Sequence, residues 1–490
     1  SRKKKGTSTL SQHKRQGKKL LPPMLSHSLN WNSSSWSNVR LPEMLWAALL
    51  VTDIGRDHAL QRFREIANFV FHLPEASKFC DITHTGIATL PHDIATQLVG
   101  VICADAKSTS ALTPLLLIDS LPSRDMWKSS LCRVTEKKSW SELSAAVFRC
   151  YDHQSQEATD CRWVKILARL VSGYLQLPSE EMIRQIAEYP NFGDVREVRP
   201  SIRACEISFA SDEPKSDWPE AFWRQCFVQT KCYSLEMDEL ETRKQKPTEK
   251  ELDSVRAAVT ERAKRIWDVY TALGSHAITS ATTSDIDAKH DTVFGTGLYA
   301  LIVLQEICSH RLGTSVHGRL GLRVLLECYV TLAYLIKKAE PELWRSYRVY
   351  GAGQAKLVLL KFQETENVPA SLDLHVLENL VNEDAWEEFL PIDLGHWVKS
   401  NLRQISEDAE VKDEYDRYYP WPSTFIHGQW GAQRDTVFDN CINPLHRFHR
   451  IPRVLPRQLP DVMPDAIKLI DKILDLIAKE YPEFKARVGS

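Results

Sequence analysis

The sequence predicts a mainly α-helical protein with two helical domains. After residue 40, apolar residues recur three or four positions apart over most of the chain, which is the period of an amphipathic helix. Only 19 of the 490 residues are glycine, below the usual share of roughly 7%, so few turns are left for an all-β fold. A chain of 490 residues also exceeds what one hydrophobic core usually supports, so we expect two domains or more.

The composition is that of an ordinary soluble protein, with 43% hydrophobic and 26% charged residues. The eleven cysteines are scattered, with no CxxC pair and no Cys/His block at zinc-ligand spacing. No stretch reaches the roughly 18 apolar residues of a membrane span, and the first residues lack the apolar core of a signal peptide. We therefore expect a cytoplasmic protein without a cofactor, a metal site or a membrane contact.

Residues 1–40 are predicted to form a basic arm, because the chain from Ser1 to Pro42 contains nine Lys or Arg and no acid. One interpretation is that the arm binds the phosphates of a nucleic acid. The candidate residues are Lys3, Lys4, Lys5, Lys14, Arg15, Lys18 and Lys19. The other interpretation, which we favour, is a solvated and partly disordered tail whose Leu20, Leu21 and Met24 dock on the body of the protein.

Residues 41–245 are predicted to form the N-terminal helical domain. LPEMLWAALLV places Pro42 and Glu43 in a first helical turn, and RDHALQRFREIANFVFHL continues as the second helix of a hairpin. Further apolar-periodic segments run through 88–104, 141–151, 161–176 and 217–237. Whether VICADA or TPLLLIDSL forms a strand stays undecided, because a short apolar run has the same pattern in a strand and in a buried helix.

The charged segment ETRKQKPTEKEL, residues 241–252, marks the boundary to a C-terminal domain of residues 250–490. Apolar residues from Leu252 to Leu273 then mark one face of a long amphipathic helix, which is predicted to end at Gly274.

The helix GRLGLRVLLECYVTLAYLIKK, residues 318–338, is apolar nearly all round, so we expect it in the interior. Arg323 and Glu327 are four positions apart and share one face of this helix. Buried charges are costly unless they are paired and hydrogen-bonded. Either the two residues form an ion pair that ties down a neighbouring loop, or Arg323 offers a fixed cation to an anionic group that Glu327 helps to orient.

The segment YYPWPSTFIHG contains Ser423 and, four positions later, His427. His427 is either a core histidine with both nitrogens satisfied or the general acid or base of a site. The nearby aromatic residues are either core side chains, which we favour, or base-stacking surfaces. These residues are Tyr418, Tyr419, Trp421 and Trp430.

Taken together, RVLLECYVTLAYL and YYPWPSTFIHG, about a hundred residues apart, resemble a family of uncharacterised bacterial domains distantly related to the HEPN superfamily. The resemblance covers roughly residues 280–480. HEPN proteins are helical bundles, commonly dimeric, and many are metal-independent RNases of toxin and antiphage defence systems. The resemblance implies a C-terminal HEPN-like bundle and the catalytic residues Arg323, Glu327, Ser423 and His427.

Metal-independent RNA cleavage needs a base for the ribose 2′-hydroxyl, a cation for the phosphorane and an acid for the leaving oxygen. The resemblance gives His427 the acid or base role and Arg323 the role of phosphate cation. Active HEPN nucleases carry an arginine shortly before this histidine, whereas Ser423 stands at that place here. Arg311 and His317, which are six positions apart, have the family's spacing and are the alternative site.

The segment RDTVFDNCINPLHRFHRIPRVLPR, residues 434–457, raises the question of a metal site, because His446 and His449 are three positions apart. Asp439 and Asn443 lie nearby. Three prolines interrupt any helix here, and four arginines crowd the same segment. We therefore expect a strip that binds an anion or a partner rather than a cation. The residues of this argument are Pro444, Pro452, Pro456, Arg447, Arg450, Arg453 and Arg457.

Other enzyme templates are absent: the chain has no GxxxxGK[ST], no GxGxxG after a strand, no HExxH and no GxSxG. The resemblance implies an RNA-directed effector, namely a metal-independent endoribonuclease of a bacterial antiphage defence or toxin system, acting with a second copy or a partner protein from the same operon. The alternative is a non-catalytic scaffold subunit that binds nucleic acid or protein. In the first case His427→Ala abolishes activity, and in the second it destabilises the fold.

Overall fold

The structure is a computed structural model and confirms a mainly α-helical fold. It describes residues 14–17, 19–21, 35–131, 136–209, 216–235, 249–284, 286–363, 365, 367–382, 392, 395–455 and 457–489. Of the predicted nucleic-acid-binding residues, Lys3, Lys4, Lys5 and Lys18 lie outside these ranges.

The contacts divide the chain into two compact units. The N-terminal unit comprises Ser1–Leu235 and Asn440–Arg450, and the C-terminal unit comprises Glu236–Asp439 and Ile451–Ser490. The sequence analysis assigned residues 250–490 to one domain, whereas Asn440–Arg450 pack with the N-terminal unit. Leu445 belongs to the hydrophobic core of that unit, which is why this segment groups there.

The N-terminal unit begins with the strands β1 (Lys14–Gln16) and β2 (Lys19–Leu21), and a π-helical turn at Trp36–Arg40 follows. The helices of this unit are α1 Leu41–Glu43, α2 Leu45–Asp53, α3 Arg56–Phe71, α4 His84–Thr89, α5 His92–Ile102, α6 Ala106–Leu112, α7 Arg124–Ser130, α8 Glu136–Tyr151, α9 Gln156–Val171, α10 Glu180–Ala187, α11 Val195–Ser208 and α12 Trp218–Gln229.

The helices of this unit begin where the side-chain chemistry favours a start. Asp105, Ser155 and Ser179 each accept a hydrogen bond from a backbone N–H in the first turn of the following helix. Neither of the two segments for which a strand was considered forms one. VICADA includes the end of α5, and residues 113–117 form a 3-10 helix.

The described part of the basic arm, residues 14–17 and 19–21, is an antiparallel hairpin. Lys14 pairs with Leu21 and Arg15 with Leu20, and the chain turns at Gly17, whose φ is +61°. Leu20 was expected to dock on the body of the protein. It is 53% exposed, so it does not. Lys14 and Arg15 are exposed.

A buried carboxylate, Glu206 on α11, is surrounded by three cations within the core of this unit. Lys165 Nζ lies 3.1 Å and Arg162 Nε 3.2 Å from its oxygens, and Arg40 forms a further short ion pair. Burial alone would raise the pKa of Glu206, but the three positive charges lower it below its ordinary value. The carboxylate is therefore charged in the folded protein.

Two further short strands, β3 (Phe438–Asn440) and β4 (Arg450–Pro452), pair with each other. The helices of the C-terminal unit are α13 Glu249–Ser280, α14 Ala288–Ser309, α15 Val316–Lys338, α16 Pro341–Gln363, α17 Leu374–Asn382, α18 Leu402–Asp408, α19 Lys412–Tyr418, α20 Pro420–Ile426, α21 Trp430–Val437 and α22 Met463–Glu480.

The long helix α13 does not end at Gly274 as predicted but continues to Ser280. Ala277, one turn beyond Gly274, packs against the core and extends the apolar face. A glycine inside a helix costs only about 1 kcal/mol, so this packing decides the outcome.

Helix α15 lies at the centre of the C-terminal unit and packs against α14, α18, α20 and α22. Most of its length is buried, as predicted, but one side is partly open. That side carries Val324, Glu327, Cys328 and Thr331, all of which line a cavity. The expectation that the helix is enclosed on all sides is therefore wrong.

Helix α14 is 22 residues long and apolar enough, by length and composition alone, to cross a membrane. Half of its most apolar window is buried inside the protein, and Leu301 and Leu304 belong to the core. This burial is typical of the core helix of a soluble protein.

Candidate functional site

A cavity of about 1050 Å³ opens in the C-terminal unit between α14, α15, α16 and the segment 396–405. Its lining combines aromatic rings with three cations, of which Arg323 is paired with Glu327 and Arg348 with Asp291. The charged and aromatic residues of the lining are Asp291, Arg323, Glu327, Arg348, Lys399, Tyr299, Tyr347, Tyr350, His396 and Trp397. Such a combination suits a ligand with both phosphate groups and flat bases.

Arg323 is only 6% exposed, whereas the side chain of Glu327 is 53% exposed. Arg323 Nη1 lies 2.5 Å from Glu327 Oε1, so the i,i+4 pair predicted from the sequence forms. Arg323 Nε is buried and meets no hydrogen-bond acceptor among the described residues. A buried N–H without an acceptor costs free energy, and an anionic ligand that reached it would remove that cost.

The ring of Tyr419 covers the guanidinium of Arg323, with the Arg323 Cζ atom 4.0 Å from the ring centroid. Tyr415 stacks on Tyr419 at a centroid distance of 4.4 Å and an interplanar angle of 25°. Burial raises the pKa of Tyr415, and the neighbouring phenol of Tyr419 raises it further. A flat aromatic surface therefore adjoins the Arg323 cation.

Tyr415, Tyr419, Ser423 and His427 follow one another at four-residue steps along one helical path through α19 and α20. Tyr419 N donates to Tyr415 O at 2.8 Å, Ser423 N to Tyr419 O at 3.1 Å, and His427 N to Ser423 O at 3.3 Å. We call these four residues the Tyr415–His427 row. At about 1.5 Å rise per residue, His427 lies about 12 Å along the axis from Tyr419.

His427 is exposed at the C-terminal end of α20. It is therefore not a core histidine, which was one of the two interpretations. Within the described parts of the chain, no side chain hydrogen-bonds its imidazole, and no contact joins it to Arg323 or Glu327. The structure brings Arg323 and Glu327 together and places Ser423 and His427 further along the row.

The aromatic residues of this segment divide into two groups. Tyr418 is a core residue, as favoured from the sequence, and its hydroxyl donates to Asp465 at 3.2 Å. Trp421 and Trp430 are 51% and 56% exposed, so they are surface residues. Both remain accessible to a ligand at the His427 end of the row.

The alternative pair does not form a site in the described residues. Arg311 and His317 are both exposed, on either side of the 3-10 turn Leu312–Thr314, and no contact joins them. The buried cation nearby is Arg319, whose guanidinium donates to the carbonyl oxygens of Gly313, at 2.8 Å, and Pro460. Arg319 therefore has a structural role in closing this turn.

Sequence reasoning missed Arg348, His396 and Lys399, which line the cavity opposite Arg323. No local pattern marks them, because they come from α16 and from an irregular segment. Cys328 also lines the cavity, but burial raises the pKa of its thiol to about 12. A thiol with that pKa is protonated near neutral pH and is a poor nucleophile.

A second cluster lies in the N-terminal unit, where Cys232, Cys441, His446 and His449 bring their sulfur and nitrogen atoms within 4.8 Å of one another. The prolines of the segment 434–457 do interrupt a helix, as expected, and residues 444–446 form a 3-10 turn instead. His446 ends that turn and His449 follows it, and both lie beside two cysteines. The loss of the helix therefore does not separate the two histidines.

The arginines of residues 434–457 also concentrate less net positive charge than expected. Arg447 lies 3.7 Å from Glu220 and Arg457 2.5 Å from Asp435, so acids partly balance their charge. Asp439 faces Arg453 at 3.9 Å and is not part of the cluster.

Residues 303–440 match the model of a family described as a family of unknown function, DUF5677. This segment resembles an uncharacterised domain family. It contains Arg323, Glu327 and the whole Tyr415–His427 row, and that family's description names no activity and no relation to HEPN proteins. Comparison with curated proteins and with solved structures finds no match.

Proposed function

We propose that the protein is an RNA-directed effector whose C-terminal unit binds single-stranded RNA along the Tyr415–His427 row. The observation that carries this proposal is the buried guanidinium of Arg323, which lies under the Tyr419 ring and opens on a cavity of about 1050 Å³. A fixed cation beside stacked aromatic rings is the combination that binds a phosphate and its base together.

In this proposal Arg323 holds one RNA phosphate. Arg323 and Tyr415 cover the two faces of the Tyr419 ring, so an adjacent base stacks on the outer face of Tyr415. Glu327 fixes the orientation of the guanidinium through its ion pair. Arg348 and Lys399 add positive charge on the other side of the cavity. The exposed Lys14 and Arg15 of the basic arm supply further, sequence-independent attraction to phosphates.

Cleavage takes place at the other end of the row, at His427. The imidazole removes the proton of a ribose 2′-hydroxyl, and the resulting oxygen attacks the adjacent phosphorus. The bond from phosphorus to the 5′-oxygen breaks, and the imidazolium returns the proton to that oxygen, directly or through water. The products are a 2′,3′-cyclic phosphate and a 5′-hydroxyl. Ser423, one turn before His427, positions the strand.

A second candidate function is binding without catalysis, in a scaffold subunit of a defence complex. It is favoured by the absence, among the described residues, of any side chain that orients the His427 imidazole. A general base is usually held by such a partner. In either case the protein works in a bacterial antiphage defence or toxin system, with a second copy or another protein as its partner.

The test measures RNA binding and RNA cleavage separately on end-labelled single-stranded RNA in magnesium-free buffer. Tyr415→Leu removes a stacking surface worth about 1–3 kcal/mol, so we expect RNA affinity to fall about 5-fold to 150-fold. His427→Ala is expected to abolish cleavage while leaving RNA affinity unchanged. Because His427 is exposed, this variant also keeps the melting temperature of the wild type.

Matched controls come from the alternative pair, because Arg311→Ala and His317→Ala remove an exposed cation and an exposed imidazole elsewhere in the same unit. Both controls are expected to bind and cleave RNA like the wild type. Wild-type binding without cleavage selects the scaffold function. Equal RNA affinity of Tyr415→Leu and the wild type rules out the proposed binding surface.

A further inference from the structure

We propose that Cys232, Cys441, His446 and His449 bind one Zn²⁺ ion in a structural, tetrahedral Cys2His2 site of the N-terminal unit. Cys232 follows α12, and the other three residues lie in Asn440–Arg450. Two thiols and two imidazoles are the donor set of structural zinc sites.

The distances between the donor atoms fit a zinc ion. Cys232 Sγ lies 3.4 Å from His446 Nδ1 and 3.3 Å from His449 Nε2, and Cys441 Sγ lies 3.6 Å from His446 Nδ1. Zinc bonds of about 2.3 Å to sulfur and about 2.0–2.1 Å to nitrogen place S and N about 3.6 Å apart at tetrahedral angles. The side chains therefore need only small shifts to coordinate the ion.

The surroundings of His446 hold it in the tautomer that a metal needs. The Thr230 hydroxyl donates to the Cys226 carbonyl at 2.8 Å, and its oxygen lies 2.8 Å from His446 Nε2. Asn443 Nδ2 also donates to Thr230 Oγ1, at 3.0 Å. We assign the proton of the imidazole to Nε2, which leaves the lone pair of Nδ1 facing both sulfurs. An outer hydrogen bond of this kind is typical of metal-binding histidines.

The charges and the backbone favour a closed structural site. Two cysteine thiolates balance the charge of Zn²⁺, so the neighbouring Arg447 and Arg450 do not oppose the ion. Ile442 N donates to Tyr233 O and Cys441 N to His449 O, both at 2.8 Å, so the backbone already joins the two segments that supply the ligands. Four protein ligands leave no open position for a substrate.

The first test is the metal content and the cobalt spectrum of the purified full-length protein. We expect one zinc ion per chain, and replacement by Co²⁺ is expected to give the visible absorption of a tetrahedral ion with thiolate ligands. Cys232→Ser and Cys441→Ser are expected to lose both signals. Cys205→Ser, outside the cluster, is the matched control and is expected to retain both.

The second test uses the outer hydrogen bond, because loss of a ligand can also disturb folding. Thr230→Val removes the acceptor of His446 Nε2–H and is expected to weaken Co²⁺ binding about 10-fold to 100-fold. Thr230→Ser keeps the hydroxyl and is expected to bind Co²⁺ like the wild type. Protein that carries no zinc and shows only the weak spectrum of octahedral Co²⁺ overturns the proposal and leaves a thiol–imidazole hydrogen-bond network. Equal Co²⁺ affinity of Thr230→Val and the wild type overturns the assigned role of Thr230.

Discussion

The buried histidine His84 makes the stability of the N-terminal unit depend on pH. His84, at the start of α4, is fully buried between Trp127 and Trp218, with ring centroids 5.4 Å and 5.3 Å away. Neither of its ring nitrogens has a hydrogen-bond partner among the described residues. Burial lowers the pKa of His84 to about 3.

The sign and size of the effect follow from linkage. In the unfolded chain His84 has the ordinary histidine pKa of about 6.5, so below that pH the unfolded state binds a proton that the folded state excludes. The folded state therefore loses stability as pH falls from about 6.5 towards about 3. Between pH 7 and pH 5 the loss is about 2 kcal/mol, at 1.36 kcal/mol per pKa unit.

Urea unfolding followed by circular dichroism at pH 7 and pH 5 measures this loss. His84→Phe keeps an aromatic ring but cannot be protonated, so it is expected to lose about 2 kcal/mol less than the wild type between the two pH values. Any change in packing caused by the larger ring is independent of pH and cancels in this comparison. The exposed His92→Ala serves as the control. The same pH dependence in His84→Phe and the wild type would refute the reasoning.

Two further predictions concern packing and buried charge. A Cβ atom at Gly297 would lie 2.5 Å from Ile477 Cδ1, whereas nothing lies within 4 Å of one at Gly295 on the same helix. We expect thermal unfolding to show Gly297→Ala less stable than Gly295→Ala by about 1–3 kcal/mol, and equal stability would contradict this. Glu206→Gln leaves three buried cations without their carboxylate and is expected to cost about 3–5 kcal/mol in urea unfolding. The exposed Glu181→Gln is the control. A loss below about 1 kcal/mol for Glu206→Gln, which is the size expected of a surface substitution, would show that the cations rearrange.

Local patterns predicted the elements of the fold where apolar residues at helical spacing decide the structure. The helix pair at α2 and α3 and the central helix α15 follow from apolar spacing alone. The prediction was wrong where a distant contact outweighs a local preference, as in α13, which passes through Gly274 because Ala277 packs against the core.

The candidate site also combines features that local sequence predicts with features that depend on distant contacts. Arg323 and Glu327 are four positions apart on one helix, so their ion pair follows from helix geometry. The Tyr419 ring that covers Arg323 lies between α19 and α20, almost a hundred residues later in the chain, and sequence spacing cannot predict that contact. His427 was linked to Arg323 only by resemblance, and the structure places the two at different ends of the Tyr415–His427 row.

The Cys2His2 cluster explains why a metal site can escape a search for sequence motifs. Such motifs detect ligands that one short loop supplies, for example two cysteines in one turn. Here Cys232 and Cys441 come from segments that only the fold brings together. His446 ends a 3-10 turn and His449 follows it, so the two histidines do not share a helical face. The Thr230 hydrogen bond to His446 depends on the same long-range packing. Because the ligands are distant in sequence, zinc bound there would close a long loop, and its removal would release Asn440–Arg450 from Cys232 rather than unfold a local finger.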